Sequence, residues 1–83
     1  MIDGNALAGP LGEIFAVDVT TARGTCASCG RVDVVAALHL YTEAPGMVGR
    51  CPGCEAVTVR VVRGPDRAWL DLRGLLSLEI PLA

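Results

Sequence analysis

A small, metal-stabilised, mainly β (α+β) fold is predicted by three features of this sequence. All four cysteines fall in two CxxC pairs, Cys26/Cys29 and Cys51/Cys54. Apolar and polar residues alternate through the second half, most clearly over 57–63 and 69–73. The chain of 83 residues is short for a core that must stabilise itself, so a metal cross-link is a natural supplement.

The cysteine spacing follows from ligand chemistry. Two intervening residues let both sulfurs of a pair face one point roughly 2.3 Å away, across a tight turn. Gly30 after the first pair and Pro52-Gly53 inside the second are turn formers. The 21 residues over 30–50 between the pairs are enough for a β-hairpin arm. Disulfides would need an oxidising compartment, and a thioredoxin-like dithiol needs one CxxC beside a βαβ unit. Cys26, Cys29, Cys51 and Cys54 are therefore the predicted metal ligands. Four thiolates form a tetrahedron that suits Zn2+ first, with Fe as the alternative.

The elements follow in chain order. Leu7, Leu11, Ile14 and Phe15 fall at i, i+4, i+7 and i+8, one stripe of an N-terminal helix over 1–16, with Asp3 or Asn5 as its cap. Pro10 interrupts that stripe, which predicts a kinked helix or two short turns, the second opened by Pro10. The ribbon occupies 17–82, so 1–83 reads as one domain. Val17–Thr21 alternates as a short strand into the first knuckle. A strand over 32–41 places Val32, Val34, Ala36, Leu38 and Leu40 on one face, and residues 43–46 turn the arm back through Met47–Arg50. The last hairpin pairs Val61 with Leu70, Val59 with Leu72 and Arg60 with Asp71 across Gly64-Pro65-Asp66-Arg67. The apolar tail over 75–82 is ambiguous: Leu76, Leu78 and Ile80 alternate as in a strand, while Leu72, Leu75 and Leu76 also fit one helical turn. Packing on the parent sheet is preferred to docking on a partner, because an unpaired apolar strand invites aggregation.

Composition narrows the function. Hydrophobic residues make up 52% and charged residues 19%, and mean hydropathy is +0.49, so either a helix covers one face of the sheet or some apolar surface is left for a partner. Net charge is −2, Lys is absent, and all seven basic residues are Arg. With one Trp, one Tyr and one Phe there is neither a basic surplus nor a stacking platform, which argues against nucleic acid. No stretch of about 18 apolar residues occurs, and the N-terminus lacks a signal-peptide pattern, so a cytoplasmic location is expected and no membrane span. His39, the single histidine, is not needed beside four cysteines and reads as a partly buried strand residue. Catalytic zinc keeps one open position, and four thiolates leave none. No catalytic set and no phosphate loop can be assembled, so no enzyme and no small-molecule substrate are expected.

Several runs carry a resemblance: Asp3 to Leu11, Thr20 to Gly30, Tyr41 to Gly46, Arg50 to Cys54 and Trp69 to Gly74. Together they resemble a short actinobacterial family catalogued only as a domain of unknown function, over nearly the whole chain. The resemblance implies a zinc ribbon with ligands at Cys26, Cys29, Cys51 and Cys54 and assigns no activity. The two knuckles are also similar to those of rubredoxin, which implies an iron electron carrier serving an oxidoreductase. That likeness is incomplete, since Glu55 stands where rubredoxin has Gly and few aromatics surround the site. The expected architecture is thus a zinc-ribbon/rubredoxin-like antiparallel sheet with two Cys knuckles and an N-terminal helix. Its expected role is a non-enzymatic module docking on a protein partner or forming a homodimer.

Overall fold

The computed structural model describes residues 1–12, 15, 18–42 and 46–81. Strand β1 (Ile2–Asp3) leads through a 3-10 turn (Gly4–Leu7) into the short helix α1 (Ala8–Gly12). Asp3 caps this start, its carboxylate accepting the Asn5 N–H at 3.0 Å. Pro10 falls within the first turn of α1, where its missing N–H has no helical partner to lose. The stripe is inward as expected: Leu7 and Leu11 are buried and Phe15 packs on them, while Ile14 lies outside the described residues.

The segment expected as a strand over Val17–Thr21 is instead a 3-10 turn at Val19–Thr21, Val17 lying outside the described residues. The cause is Asp18. Its Oδ1 accepts the Thr20 N–H at 3.1 Å and the Thr20 hydroxyl at 2.6 Å, a local cap that competes with strand pairing. Val19 and Ala22, three apart, then both face the core. Strand pairing begins later, in β2 (Arg23–Cys26).

The single strand expected over 32–41 is likewise broken. It divides into β3 (Val32–Val34), a 3-10 turn (Val35–Ala37) and β4 (His39–Tyr41). The run is apolar at nearly every position, so alternation cannot fix which residues turn inward. Packing does so: Val35 N–H donates to Ala22 O at 2.9 Å, and Gly4 lies directly against the Val35 carbonyl, where any side chain would collide. Val35, Leu38 and Leu40 are buried, while Val32, placed by alternation on the face of Leu38 and Leu40, is 55% exposed.

The remaining strands are β5 (Met47–Arg50), β6 (Val57–Arg63), β7 (Ala68–Asp71) and β8 (Leu75–Glu79). They complete two antiparallel sheets, a five-stranded one in the order β1-β4-β5-β6-β7 and a three-stranded one in the order β3-β2-β8. The sequence pattern implied one sheet, and the split of the 32–41 segment is what produces two. The arm hairpin is present as the β4–β5 pair, with residues 43–45 of its turn outside the described residues.

The β6–β7 hairpin has the expected register, Val61 opposite Leu70 and Arg60 opposite Asp71. The ladder stops there, short of the expected Val59–Leu72 pair. Asp71 gives its carboxylate to Arg73 at 2.6 Å instead of to Arg60. The tail packs internally, β8 pairing with β2 while Leu75, Leu78 and Ile80 lie against the core. That core joins the helical turns to the inner face of the larger sheet through Leu7, Leu40, Val59 and Val61. Burying Leu7 and Leu40 completely contributes about 1.5–3 kcal/mol each.

Candidate metal centre

Each knuckle is the turn of a different hairpin. Cys26 ends β2 and Cys29 precedes β3, in the three-stranded sheet; Cys51 and Cys54 lie between β5 and β6, in the five-stranded sheet. The same hydrogen bonds build both turns. Cys26 N–H donates to Arg31 O and Gly30 N–H to Cys26 O, both at 2.9 Å. Their counterparts are Cys51 N–H to Ala56 O at 2.9 Å and Glu55 N–H to Cys51 O at 2.8 Å.

The structure brings all four predicted ligands together. Their Sγ atoms lie within 4.8 Å of one another, and no His, Asp or Glu joins the cluster among the described residues. Contacts between the knuckles are tighter, with Cys26 to Cys54 and Cys29 to Cys51 both at 3.7 Å. A tetrahedron of sulfurs each roughly 2.3 Å from a central ion has edges of about 3.8 Å, so the donor set fits a four-thiolate metal. Cys26 and Cys51 are buried and Cys29 and Cys54 exposed, which puts the centre at the surface end of the seam between the sheets. Beside it, Cys26, Arg31, Val35, Cys51, Thr58 and Leu75 help line a partly open pocket of about 20 Å³, room for about one water.

The surroundings temper the thiolate charge. Gly53 N–H donates to Cys51 Sγ at 3.3 Å. The Arg31 side chain lies across Gly53: a β-carbon there would meet its Cδ at 3.1 Å and its guanidinium at 3.6 Å. Without a metal, the Cys29 backbone N–H holds the Cys26 thiol down at about 7, against the opposing pull of burial. At Cys29, itself exposed, the Arg31 backbone N–H also acts downward, but partial desolvation and the neighbouring sulfurs of Cys51, Cys54 and Cys26 outweigh it and push the thiol up to about 11. Loading a metal therefore has to expel protons from the cluster.

Sequence reasoning missed the support behind the second knuckle. Glu55 has φ 64°, the conformation that Gly30 adopts at 77° in the first. Its side chain and carbonyl are both held, His39 Nδ1 meeting Oε1 at 2.7 Å and the Arg50 guanidinium donating to the carbonyl at 2.8 Å. His39 stands opposite Arg50 in the β4–β5 ladder, so both reach the knuckle from one face. It is half-buried, as expected, and serves this contact rather than the sulfur cluster. A non-glycine residue directly after the second CxxC was the signal available in the sequence.

What fold and site define is a small β protein whose two sheets meet at a four-cysteine cluster able to bind metal. The chain belongs to a family of unknown function, DUF6510, whose model matches residues 1–83. No curated protein and no solved structure matches it.

Proposed function

We propose that this protein is a zinc-stapled, non-enzymatic interaction module. The observation that carries the metal reading is the pair of 3.7 Å sulfur contacts, each linking one knuckle to the other. An ion there joins the two sheets, and its four thiolate ligands leave no position for a substrate. Such a centre is structural: ion binding and folding are one equilibrium, worth on the order of 10–16 kcal/mol in zinc-finger peptides. The four thiols call for a reducing compartment, which supports a cytoplasmic location. Among the described residues no helix is long and apolar enough to cross a membrane. The interaction half of the reading rests on exposed apolar side chains, Trp69 at 57% and Leu76 at 71%.

Metal analysis with a visible spectrum of the natively purified protein tests the centre. One zinc per chain and a colourless solution are expected. A red, iron-loaded protein bleached reversibly by reductant would replace this reading with the electron carrier. Light scattering tests the module: a strict monomer that captures no partner from its native host removes that half.

A further inference from the structure

The outward face of the five-stranded sheet carries a groove of about 440 Å³ lined by Tyr41, Val48, Arg50, Glu55 and Arg60. Strand register builds it. Tyr41 stands opposite Val48 and Val48 opposite Arg60, a row across β4, β5 and β6. Arg50, two residues beyond Val48, shares that face. Its guanidinium is held in place, 5.8 Å over the Tyr41 ring and bonded to the Glu55 carbonyl. Arg60 is exposed, and the carboxylate of its cross-strand neighbour Asp71 is taken by Arg73.

The charges select a class of ligand. Two guanidiniums face one carboxylate, that of Glu55, which His39 already engages. The groove is therefore a cationic spot on a chain of net charge −2. One carboxylate answers it, and the Arg fork suits a carboxylate's two oxygens. A polyanionic backbone would also meet Glu55 and Asp71 at the borders, and the next cation beyond Arg60, Arg73, is already held by Asp71. The next pair along β6 and β7 on this face is Val62 and Trp69. Two residues of strand separate it from Arg60, about 7 Å, which is also the spacing of alternate side chains in an extended peptide.

We propose that this groove docks an acidic-apolar peptide segment of a partner protein. One Asp or Glu side chain sits between Arg50 and Arg60, and an apolar side chain two positions away covers Val62 and Trp69. The proposal rests on the interaction-module reading and gives the partner its chemistry.

The test uses the full, metal-loaded chain, isotope-labelled for NMR. It is titrated with acetyl-Glu-Ala-Leu-amide, its Gln counterpart, inorganic phosphate and a thymidine oligonucleotide. The Glu peptide should shift the Arg50 and Arg60 side-chain N–H signals and the Trp69 indole N–H, and bind about tenfold or more tightly than the Gln peptide. Arg60→Gln should lose about the same factor while keeping metal content and melting temperature. Unaltered peptide binding in Arg60→Gln, no binding by the parent chain, tighter binding of phosphate or oligonucleotide, or occupation of the groove by a second copy of this chain would each overturn it. Zinc is measured on the same sample. Lost peptide binding with zinc in place therefore sinks the groove alone, and peptide binding by a zinc-free native protein sinks the zinc reading alone.

Discussion

At the first knuckle the residue after the second cysteine is Gly30, with φ 77°; at the second it is Glu55, with φ 64°. The backbone hydrogen bonds of the two turns match in partners and in length. Glycine reaches that conformation without help, and a β-carbon at Gly30 would touch nothing within 4 Å. Glutamate pays a backbone penalty there, and His39 and Arg50 offset it from the neighbouring strands. The first knuckle leans instead on the tail, where Ala27 N–H donates to Gly74 O at 2.9 Å and β8 flanks β2. One turn is thus set by its own sequence and braced by β8, and the other is set by the face of the larger sheet.

The largest effect tests whether the knuckles are equal partners in the centre. Cys26→Ser and Cys51→Ser should each abolish stoichiometric metal and lower the melting temperature by more than about 10 °C, since folding and metal binding are linked. Full metal content in either variant, measured by elemental analysis, shows that the ligand set is wrong.

Truncation after Gly74 comes next and should act on the first knuckle and on the core together. It strips β2 of one of its two neighbours and uncovers the core that Leu75, Leu78 and Ile80 cover. Thermal melts should fall by on the order of 10 °C, with light scattering reporting aggregation. An unchanged melting temperature with loss of self-association would mean that β8 is a docking strand.

The conformational contrast predicts opposite answers to swapping the two φ-positive residues. Gly30→Ala should cost about 1–2 kcal/mol in denaturant unfolding, all of it backbone. Glu55→Gly should stay within about 0.5 kcal/mol of zero, since it gains conformational ease and gives up a partly exposed side-chain contact with His39. Equal costs would erase the distinction. The smallest change is His39→Ala: metal content unaltered and stability lower by less than about 1 kcal/mol, because the Glu55 pair is partly solvated. Loss of metal in that variant would make His39 part of the centre after all.

Much of the centre was legible in the sequence because its information is local. A CxxC turn fixes where its own two sulfurs point, so Cys26 with Cys29 and Cys51 with Cys54 could be paired from spacing. The β6–β7 register was legible for the same reason, since alternation on both sides of the four-residue connection 64–67 permits few pairings. The stretch over 32–41 was not legible. With Val, Ala or Leu at seven of its ten positions, period-two alternation and a 3-10 turn bury comparable apolar area, and the choice falls to Gly4 and Ala22, distant in sequence. The strand expected over Val17–Thr21 failed differently, through the side chain of Asp18 outcompeting a pattern only five residues long.

The sequence by itself determined the four thiols, the two turns that present them, the last hairpin and the inward stripe of the N-terminal segment, each a matter of neighbours a few residues apart. Only the tertiary structure decided that the knuckles belong to separate sheets, that β8 flanks β2, and that His39 and Arg50 brace Glu55. Those outcomes depend on contacts between segments far apart in the chain, where no local period distinguishes one partner from another.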